Sequence, residues 1–178
     1  MKVGVADLLG AVNAAPLALS FGPWLSAGAI ILSACIGGVI ALFSINEQRK
    51  IARRRATLDM LVKKEWDREY AQARAKFIKL RNSELGLGMW ATKDHHGSEQ
   101  YLLINSVLND YEIIALGIRK QILDEEFYKL WFRTSFLKDY NAARPFIEEL
   151  RTNISRTNVI FKELEALAVR WEKEPNKP

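Results

Sequence analysis

The amino-acid sequence predicts an all-α protein in which a single N-terminal transmembrane helix precedes an antiparallel cytoplasmic bundle of four or five helices. Three observations predict this class. An uncharged apolar run covers residues 24–45, and a cluster of basic residues follows it directly. Beyond residue 66, apolar residues recur at helical spacing, and no segment shows the period-two alternation that is typical of strands.

The apolar run, WLSAGAIILSACIGGVIALFSI, contains no charge and no proline. A helix of about 20 apolar residues crosses the ~30 Å hydrocarbon core of a bilayer. Two other interpretations are weaker. A cleaved signal peptide would have its apolar core close behind a basic N-terminus. The segment Leu32-Ser33-Ala34-Cys35 resembles a lipoprotein cleavage site, but the sequence stays apolar to Ile45. We therefore expect residues 24–45 to be a transmembrane helix.

The segment before the span, residues 1–23, is apolar between Leu8 and Phe21 but too short to cross a membrane. Pro16 and the pair Gly22–Pro23 interrupt it. Such breaks favour an interfacial or a re-entrant segment, and the sequence leaves both open.

The distribution of basic residues on the two sides of the span predicts its orientation. Seven Lys and Arg residues against two acidic ones lie between Glu47 and Lys64, whereas Lys2 alone precedes the span. Basic loops stay on the cytoplasmic side, which predicts a bacterial inner-membrane protein with its N-terminus outside and its C-terminal domain in the cytoplasm. The basic juxtamembrane helix, residues 46–66, is expected to contact anionic lipid headgroups through five residues: Arg49, Lys50, Arg53, Arg54 and Arg55.

Small residues recur every four positions within the span, at Ala29, Ser33, Gly37 and Ala41. A ridge of small side chains lets transmembrane helices approach closely and associate. The pattern therefore predicts a homo-oligomer whose interface lies in the membrane.

The C-terminal part is expected to comprise a helical bundle over residues 67–174 and a tail over residues 175–178. Five segments are predicted as helices: residues 67–81, residues 98–119 after an N-cap at Ser98, a helix capped by Asp124, residues 138–152 around Pro145, and a helix starting near Asn158. Gly86, Gly88 and Gly97 mark a loop over residues 83–97. The helix at residues 98–119 is so apolar that we expect it at the centre of the bundle. In the next helix, four side chains are expected to face inward, namely Phe127, Leu130, Trp131 and Leu137, and the aromatic group Phe127, Tyr128, Trp131 and Phe132 is interpreted as core.

Polar residues interrupt that apolar helix. Asn109, Asp110 and Glu112 are predicted to form a buried polar cluster with Arg119, although Arg81 and Arg144 are alternative cationic partners. The cluster is interpreted as a salt bridge that fixes helix register, and as a subunit contact or ligand site in the functional alternative.

Catalytic and metal-binding motifs are sparse. The lone thiol, Cys35, lies in the span, and the two histidines are adjacent at His95 and His96. No phosphate-binding glycine motif occurs. The sequence therefore predicts no catalytic residues, no metal and no cofactor. Helical ribonucleases of the HEPN type have an arginine and a histidine separated by four to six intervening residues, and neither histidine of this sequence has an arginine at that spacing. The segment containing Arg151 and Asn153 resembles a degenerate form of that motif without its histidine.

Several stretches resemble one family of short membrane-anchored bacterial and phage proteins, catalogued as a domain of unknown function. They are Leu108-Asn109-Asp110-Tyr111-Glu112, Gly117-Ile118-Arg119, Ile122-Leu123-Asp124-Glu125, Trp131 and Ala143-Arg144-Pro145-Phe146-Ile147. The resemblance covers residues 57–171 and implies one span and a helical cytoplasmic part. The layout is also similar to that of membrane-anchored accessory proteins of RNA-targeting CRISPR systems.

These patterns favour a non-enzymatic membrane protein that self-associates, as a membrane effector or pore-forming accessory in phage defence. One alternative is a membrane-tethered, degenerate HEPN-like module that binds or cleaves RNA. Another is a plain anchor for a cytoplasmic protein partner. Nucleic acid is disfavoured as a partner but left open, because the basic excess lies next to the span.

Overall fold

A computed structural model describes residues 22–152 and 159–174 of the 178-residue chain. Four expectations lie outside the described residues: the interfacial segment at residues 8–21, Asn153, the helix start near Asn158 and the tail at residues 175–178. Within the described residues the protein has five α-helices and no strand, which confirms the all-α class.

The α-helices run in the order α1 (Gly22–Trp66), α2 (Arg68–Arg81), α3 (Glu99–Arg119), α4 (Glu125–Leu150) and α5 (Lys162–Lys173). Two short 3-10 helices, Gly88–Ala91 and Lys93–His95, lie between α2 and α3, where the sequence predicted a loop. The chain divides into two compact units, residues 1–46 and 47–178.

In the first unit, α1 carries the apolar run. Every side chain described between Ala27 and Asn46 is exposed. By length and composition, α1 is the one helix in the described part of the chain that is able to cross a membrane.

Side-chain caps fix the starts of three helices in the second unit. Asp67 accepts from the backbone N–H groups of Glu69 and Tyr70 at the start of α2. Ser98 caps α3, and Asp124 caps α4 by accepting from the backbone N–H of Phe127 at 2.9 Å. Short polar side chains at this position satisfy donors that the first turn leaves free. The predicted caps at Ser98 and Asp124 are confirmed.

The predicted separation of the helix capped by Asp124 from a further helix over residues 138–152 was wrong, because α4 is continuous from Glu125 to Leu150. A proline inside a helix removes one hydrogen bond and costs about 3 kcal/mol. Packing offsets that cost, since the same side of α4 is buried before and after the proline, at Tyr140 and Ala143 and again at Phe146. A Cβ on Gly88 would lie 2.9 Å from the Cβ of Pro145, so glycine is what allows the first 3-10 helix to pack on α4 here.

The core of the second unit is formed mainly by α3, α4 and α5. Its largest buried side chains include Trp171, Tyr128, Phe77, Phe136 and Phe146. The prediction that α3 is central holds for one side only. Ile104, Leu108 and Ile114 are buried, but Leu102 and Ile113 are exposed.

The predicted inward face of α4 was wrong at two positions. Trp131 is 71% exposed and Leu130 is 84% exposed, whereas Tyr128 is buried and Phe127 and Phe132 are partly buried. The core-facing stripe of α4 runs through Tyr128, Phe132, Phe136 and Tyr140, which places Leu130 and Trp131 on the side away from the core.

The last turns of α1 belong to the second unit and attach to it through a buried threonine. Thr57 donates its hydroxyl to the carbonyl of Arg53 at 2.9 Å and accepts from the backbone N–H of Asp124 at 2.8 Å. Met60 and Leu61 pack against the core on the same side of the helix. These contacts join α1 to the start of α4.

Candidate functional site

The five basic residues predicted to meet lipid lie on α1 within the second unit. Arg49, Lys50, Arg54 and Arg55 are exposed, and Arg53 is partly buried. Arg54 lies 3.4 Å from Asp124 and 3.7 Å from Glu126, and its side chain is still half exposed. Arg55 lies 4.0 Å from Asp59, and both side chains are largely exposed. Four of the five guanidinium or ammonium groups are therefore accessible to an anionic surface.

The small residues of the span, Ala29, Ser33, Gly37 and Ala41, all lie on exposed parts of α1. A Cβ added to Gly37 would meet no other atom within 4 Å. Packing within the described chain therefore does not require glycine at this position. The side of α1 that bears Gly37 is open to a second helix.

The predicted polar cluster on α3 does not form one site. Asp110 pairs with Lys64 of α1, with 3.1 Å between Nζ and Oδ2. The Lys64 ammonium group also lies 4.9 Å from the centroid of the Tyr70 ring. Asn109 is exposed. Asp110 therefore connects α3 to α1 at a partly exposed position.

Glu112 and Arg119 act instead at the start of α5. The Glu112 carboxylate accepts from the backbone N–H of Glu163 at 3.1 Å and from that of Leu164 at 2.7 Å. Arg119 pairs with Glu163 at 2.6 Å, although its own side chain is 55% exposed. The N-cap residue of α5, Phe161, has a left-handed backbone (φ 54°) and makes no side-chain cap. Glu112 supplies from α3 the acceptor that this helix end lacks locally.

Among the described residues, the fully buried carboxylate is that of Asp139 on α4, which was not among the predicted site residues. Asp139 is ion-paired with Arg74 and with Arg81, both on α2, and it accepts the hydroxyl of Tyr111 at 2.7 Å. Arg81 was an alternative partner for the polar group of α3, but its guanidinium binds Asp139. These four residues tie α2, α3 and α4 together, and we call them the Asp139 cluster.

Burial shifts the pKa values of the aromatic hydroxyls near this cluster. Desolvation raises the pKa of Tyr111 well above its ordinary value, and the adjacent Asp139 carboxylate adds to the rise. Desolvation likewise raises the pKa of Tyr128. Burial by itself lowers the pKa of the Arg74 guanidinium, but the neighbouring Tyr111 and Asp139 raise it by more. The pKa of Arg74 therefore lies above its ordinary value. Tyr111 is therefore a stable hydrogen-bond donor and Arg74 a fixed cation, as a structural cluster requires.

Arg151, the arginine of the nuclease-like segment, makes contacts within the fold. Its Nε and Nη2 atoms donate to the carbonyl of Ile160 at 3.0 and 2.7 Å, and its guanidinium lies 2.9 Å from Glu165 of α5. Its side chain is largely buried. Asn153 lies outside the described residues. The visible role of Arg151 is to hold the chain that leads into α5.

The two histidines pack as aromatic rings. The His95 ring lies 4.9 Å from that of Trp90, and the His96 ring lies 4.4 Å from that of Tyr101. Among the residues that the structure describes, no three His, Cys, Asp or Glu side chains come together in a way that could hold a metal ion.

Comparison with known proteins identifies a family that this chain matches. The family described as a domain of unknown function (DUF4760) matches residues 31–171. The chain belongs to the DUF4760 family. No curated protein and no solved structure matches it.

The DUF4760 match begins inside the apolar part of α1 and ends at Trp171 of α5. The domain thus extends across both compact units, and it includes the Asp139 cluster.

One sequence signal was available for Asp139. Phe136, Tyr140 and Ala143 form a helical stripe of apolar residues, and Asp139 occupies a position on that stripe. An acidic residue on an apolar stripe predicts a buried carboxylate that needs cationic partners.

Proposed function

We propose that this DUF4760 protein is a non-enzymatic, self-associating single-pass protein of the bacterial inner membrane. In this proposal α1 crosses the bilayer at residues 24–45, the N-terminus is outside, and the second unit is an antiparallel helical bundle in the cytoplasm. The protein serves as a membrane effector or pore-forming accessory, with defence against phage as its context.

The observation that carries the proposal is the exposure of the apolar half of α1. Large side chains that include Ile30, Ile31, Leu42 and Phe43 are each more than 60% exposed. Soluble monomers rarely expose an apolar surface of this extent, because its contact with water is unfavourable. Lipid chains, or a second copy of the same helix within lipid, would cover it.

Orientation is supported by the asymmetry of charge around the span. Arg49 and Lys50 follow the apolar run within five residues and are exposed. Each basic residue near an anionic membrane surface contributes about 1 kcal/mol of attraction. The basic residues therefore favour the cytoplasmic leaflet, and the second unit follows them on that side.

Self-association is supported by the open ridge on α1. Ala29, Ser33, Gly37 and Ala41 repeat every four residues, and none of the described residues would come within 4 Å of a Cβ added to Gly37. Transmembrane helices associate through close backbone approach at such positions. The nuclease alternative receives no comparable support, because Arg151 is engaged by Ile160 and Glu165.

Cysteine labelling in intact cells tests membrane insertion and orientation. In a Cys35→Ser background, Lys173→Cys places a single thiol on an exposed position of α5. We expect a membrane-impermeant maleimide to label it only after the cells are opened, and the protein to resist extraction by alkaline carbonate. Labelling in intact cells would show that the second unit lies outside the cell. Extraction by carbonate would contradict a membrane-spanning α1.

Dye entry tests the effector role. Expression of the wild-type protein is expected to admit propidium into cells, whereas the double variant Ser33→Leu, Gly37→Leu at the same expression level is expected to admit less. Dye exclusion by cells that contain the oligomer would contradict a pore and leave the anchor alternative in its place.

A further inference from the structure

An apolar surface on the second unit has no partner within the described chain. Large apolar side chains protrude from two neighbouring helices, with Trp66 at 83%, Leu130 at 84% and Trp131 at 71% exposure. We call this surface the α1–α4 face and define it by six residues: Ile51, Leu58, Val62, Trp66, Leu130 and Trp131.

The face is continuous because two adjoining grooves share Phe127. One groove is lined by Ile51, Leu58 and Leu130, and the other by Val62, Trp66 and Trp131. All of these residues lie in the unit formed by residues 47–178. The face therefore does not depend on the membrane-spanning part of α1.

Its size matches a protein interface. The six side chains together expose on the order of 800 Å², whereas the largest apolar patch of a typical soluble monomer measures roughly 300–600 Å². Each partner in a standard-size interface buries about 800 Å². Covering the face would thus remove as much surface as a stable, specific contact needs.

The charges around the face have both signs. Arg54, Arg55 and Glu65 line it from α1, and Glu126 lines it from α4, where it lies 3.7 Å from Arg54 of the same chain. The side chains of Arg55 and Glu126 are about 80% exposed. In a two-fold contact the same patch meets itself, so the α1 edge of each copy can face the α4 edge of the other. Arg55 of one copy could then lie opposite Glu126 of the other on both sides of the axis, since both side chains are largely exposed.

We propose that the α1–α4 face binds the same face of a second copy of this chain. The inference rests on the proposed function, since copies that associate through their spans share one bilayer and one orientation. Anchoring in this way raises the effective concentration of one face toward another, so that a contact too weak for free monomers forms in the assembly. A two-fold pairing of cytoplasmic units would also set the geometry of the oligomer.

Site-specific crosslinking of the full chain in its membrane tests the proposal. In the Cys35→Ser background, Leu58→Cys places one thiol in the face. Ala56→Cys is the matched control, because Ala56 is exposed on the same turn of α1 but roughly 160° around the helix. With a short bismaleimide, we expect Leu58→Cys to give at least about fivefold more crosslinked dimer than the control. Adding Trp131→Glu should reduce the Leu58→Cys dimer to the control level, since Trp131 is exposed and its replacement leaves the core intact.

Equal crosslinking at Leu58→Cys and Ala56→Cys, or no effect of Trp131→Glu, would overturn the proposal. Light scattering on the same variants without crosslinker separates the two levels of inference. If light scattering shows an oligomer while Leu58→Cys and Ala56→Cys crosslink equally, self-association stands and the α1–α4 face is excluded as its contact. A monomer in light scattering would contradict both the self-association and the face.

Discussion

Tyr111 of α3 donates its hydroxyl to Asp139 of α4 at 2.7 Å, with both side chains buried in the core. The same carboxylate is ion-paired with Arg74 and Arg81 of α2. One buried acidic group thereby joins three helices. A buried charge is tolerated only when it is paired and hydrogen-bonded, so these contacts depend on one another.

Removing the charge of Asp139 is expected to destabilise the cytoplasmic unit severely. Asp139→Asn keeps the size of the side chain but leaves two largely buried arginines without their counter-ion. Breaking a buried pair in this way typically costs about 3–5 kcal/mol. Thermal unfolding of the full-length protein in detergent, followed by circular dichroism, measures the loss.

A matched variant separates charge from hydrogen bonding at the same cluster. Tyr111→Phe removes one hydrogen bond to Asp139 but no charge, and should cost only about 1–3 kcal/mol. If Asp139→Asn proved no more harmful than Tyr111→Phe, the ion pairs with Arg74 and Arg81 would not be a major source of stability.

Truncating Glu112 is expected to loosen α5. Glu112→Ala removes the acceptor for the N–H groups of Glu163 and Leu164 and should cost about 1–2 kcal/mol, the usual cost of losing a cap. Glu112→Gln keeps an acceptor oxygen and should cost less. Amide hydrogen exchange in α5 reports the change directly, and unchanged protection in Glu112→Ala would show that the cap is dispensable.

Adjacent isoleucines in α3 should respond differently to truncation. Ile114 is buried, so Ile114→Ala should cost about 2–5 kcal/mol through lost burial and a cavity. Ile113 is 67% exposed. Ile113→Ala should change the free energy of unfolding by no more than about 0.5 kcal/mol. Equal losses in chemical denaturation would contradict the orientation of α3.

Alkaline pH is expected to destabilise the fold through its buried tyrosines. Burial raises the pKa of Tyr128 above the value near 10 that it has in an unfolded chain. Above about pH 10 the unfolded state therefore binds fewer protons than the folded state, and stability falls with rising pH. The stability linked to Tyr128 is complete below that pH and is lost as the pH approaches the folded-state pKa.

The variant Tyr128→Phe identifies that contribution. Its stability should fall less steeply than that of the wild type above pH 10, by up to about 1.4 kcal/mol per pH unit. Parallel curves for the two proteins would show that Tyr128 ionises equally in both states.

Local signals in the sequence were sufficient to place several helix starts. Ser98 and Asp124 cap helices because a short polar acceptor followed by an apolar helical pattern is a local feature. The division of α4 into two helices was wrong for the same reason. Local signals do not show that the core-facing side continues from Phe136 through Tyr140 to Phe146, and the burial of that side accompanies a helix that stays continuous past Pro145.

Contacts distant in sequence were not predictable in the same way. Glu112 caps a helix about 50 residues further along the chain, and Asp139 meets Arg74 across 65 positions. Apolar residues were also ambiguous, since Trp131 and Tyr128 fit an inward face equally well by composition. Which of them meets the core depends on where α1 and α5 pack, and the helical pattern of α4 alone does not contain that information.

Self-association through the span is tested most directly by the molar mass of the full-length protein in mild detergent, measured by light scattering after size exclusion. One chain has a mass of 20.3 kDa. We predict a discrete multiple of that mass for the wild type and a smaller species for Ser33→Leu, Gly37→Leu. A ring of about six or more copies would favour a pore. A wild-type monomer, or an oligomer that the double variant leaves unchanged, would contradict association through the span.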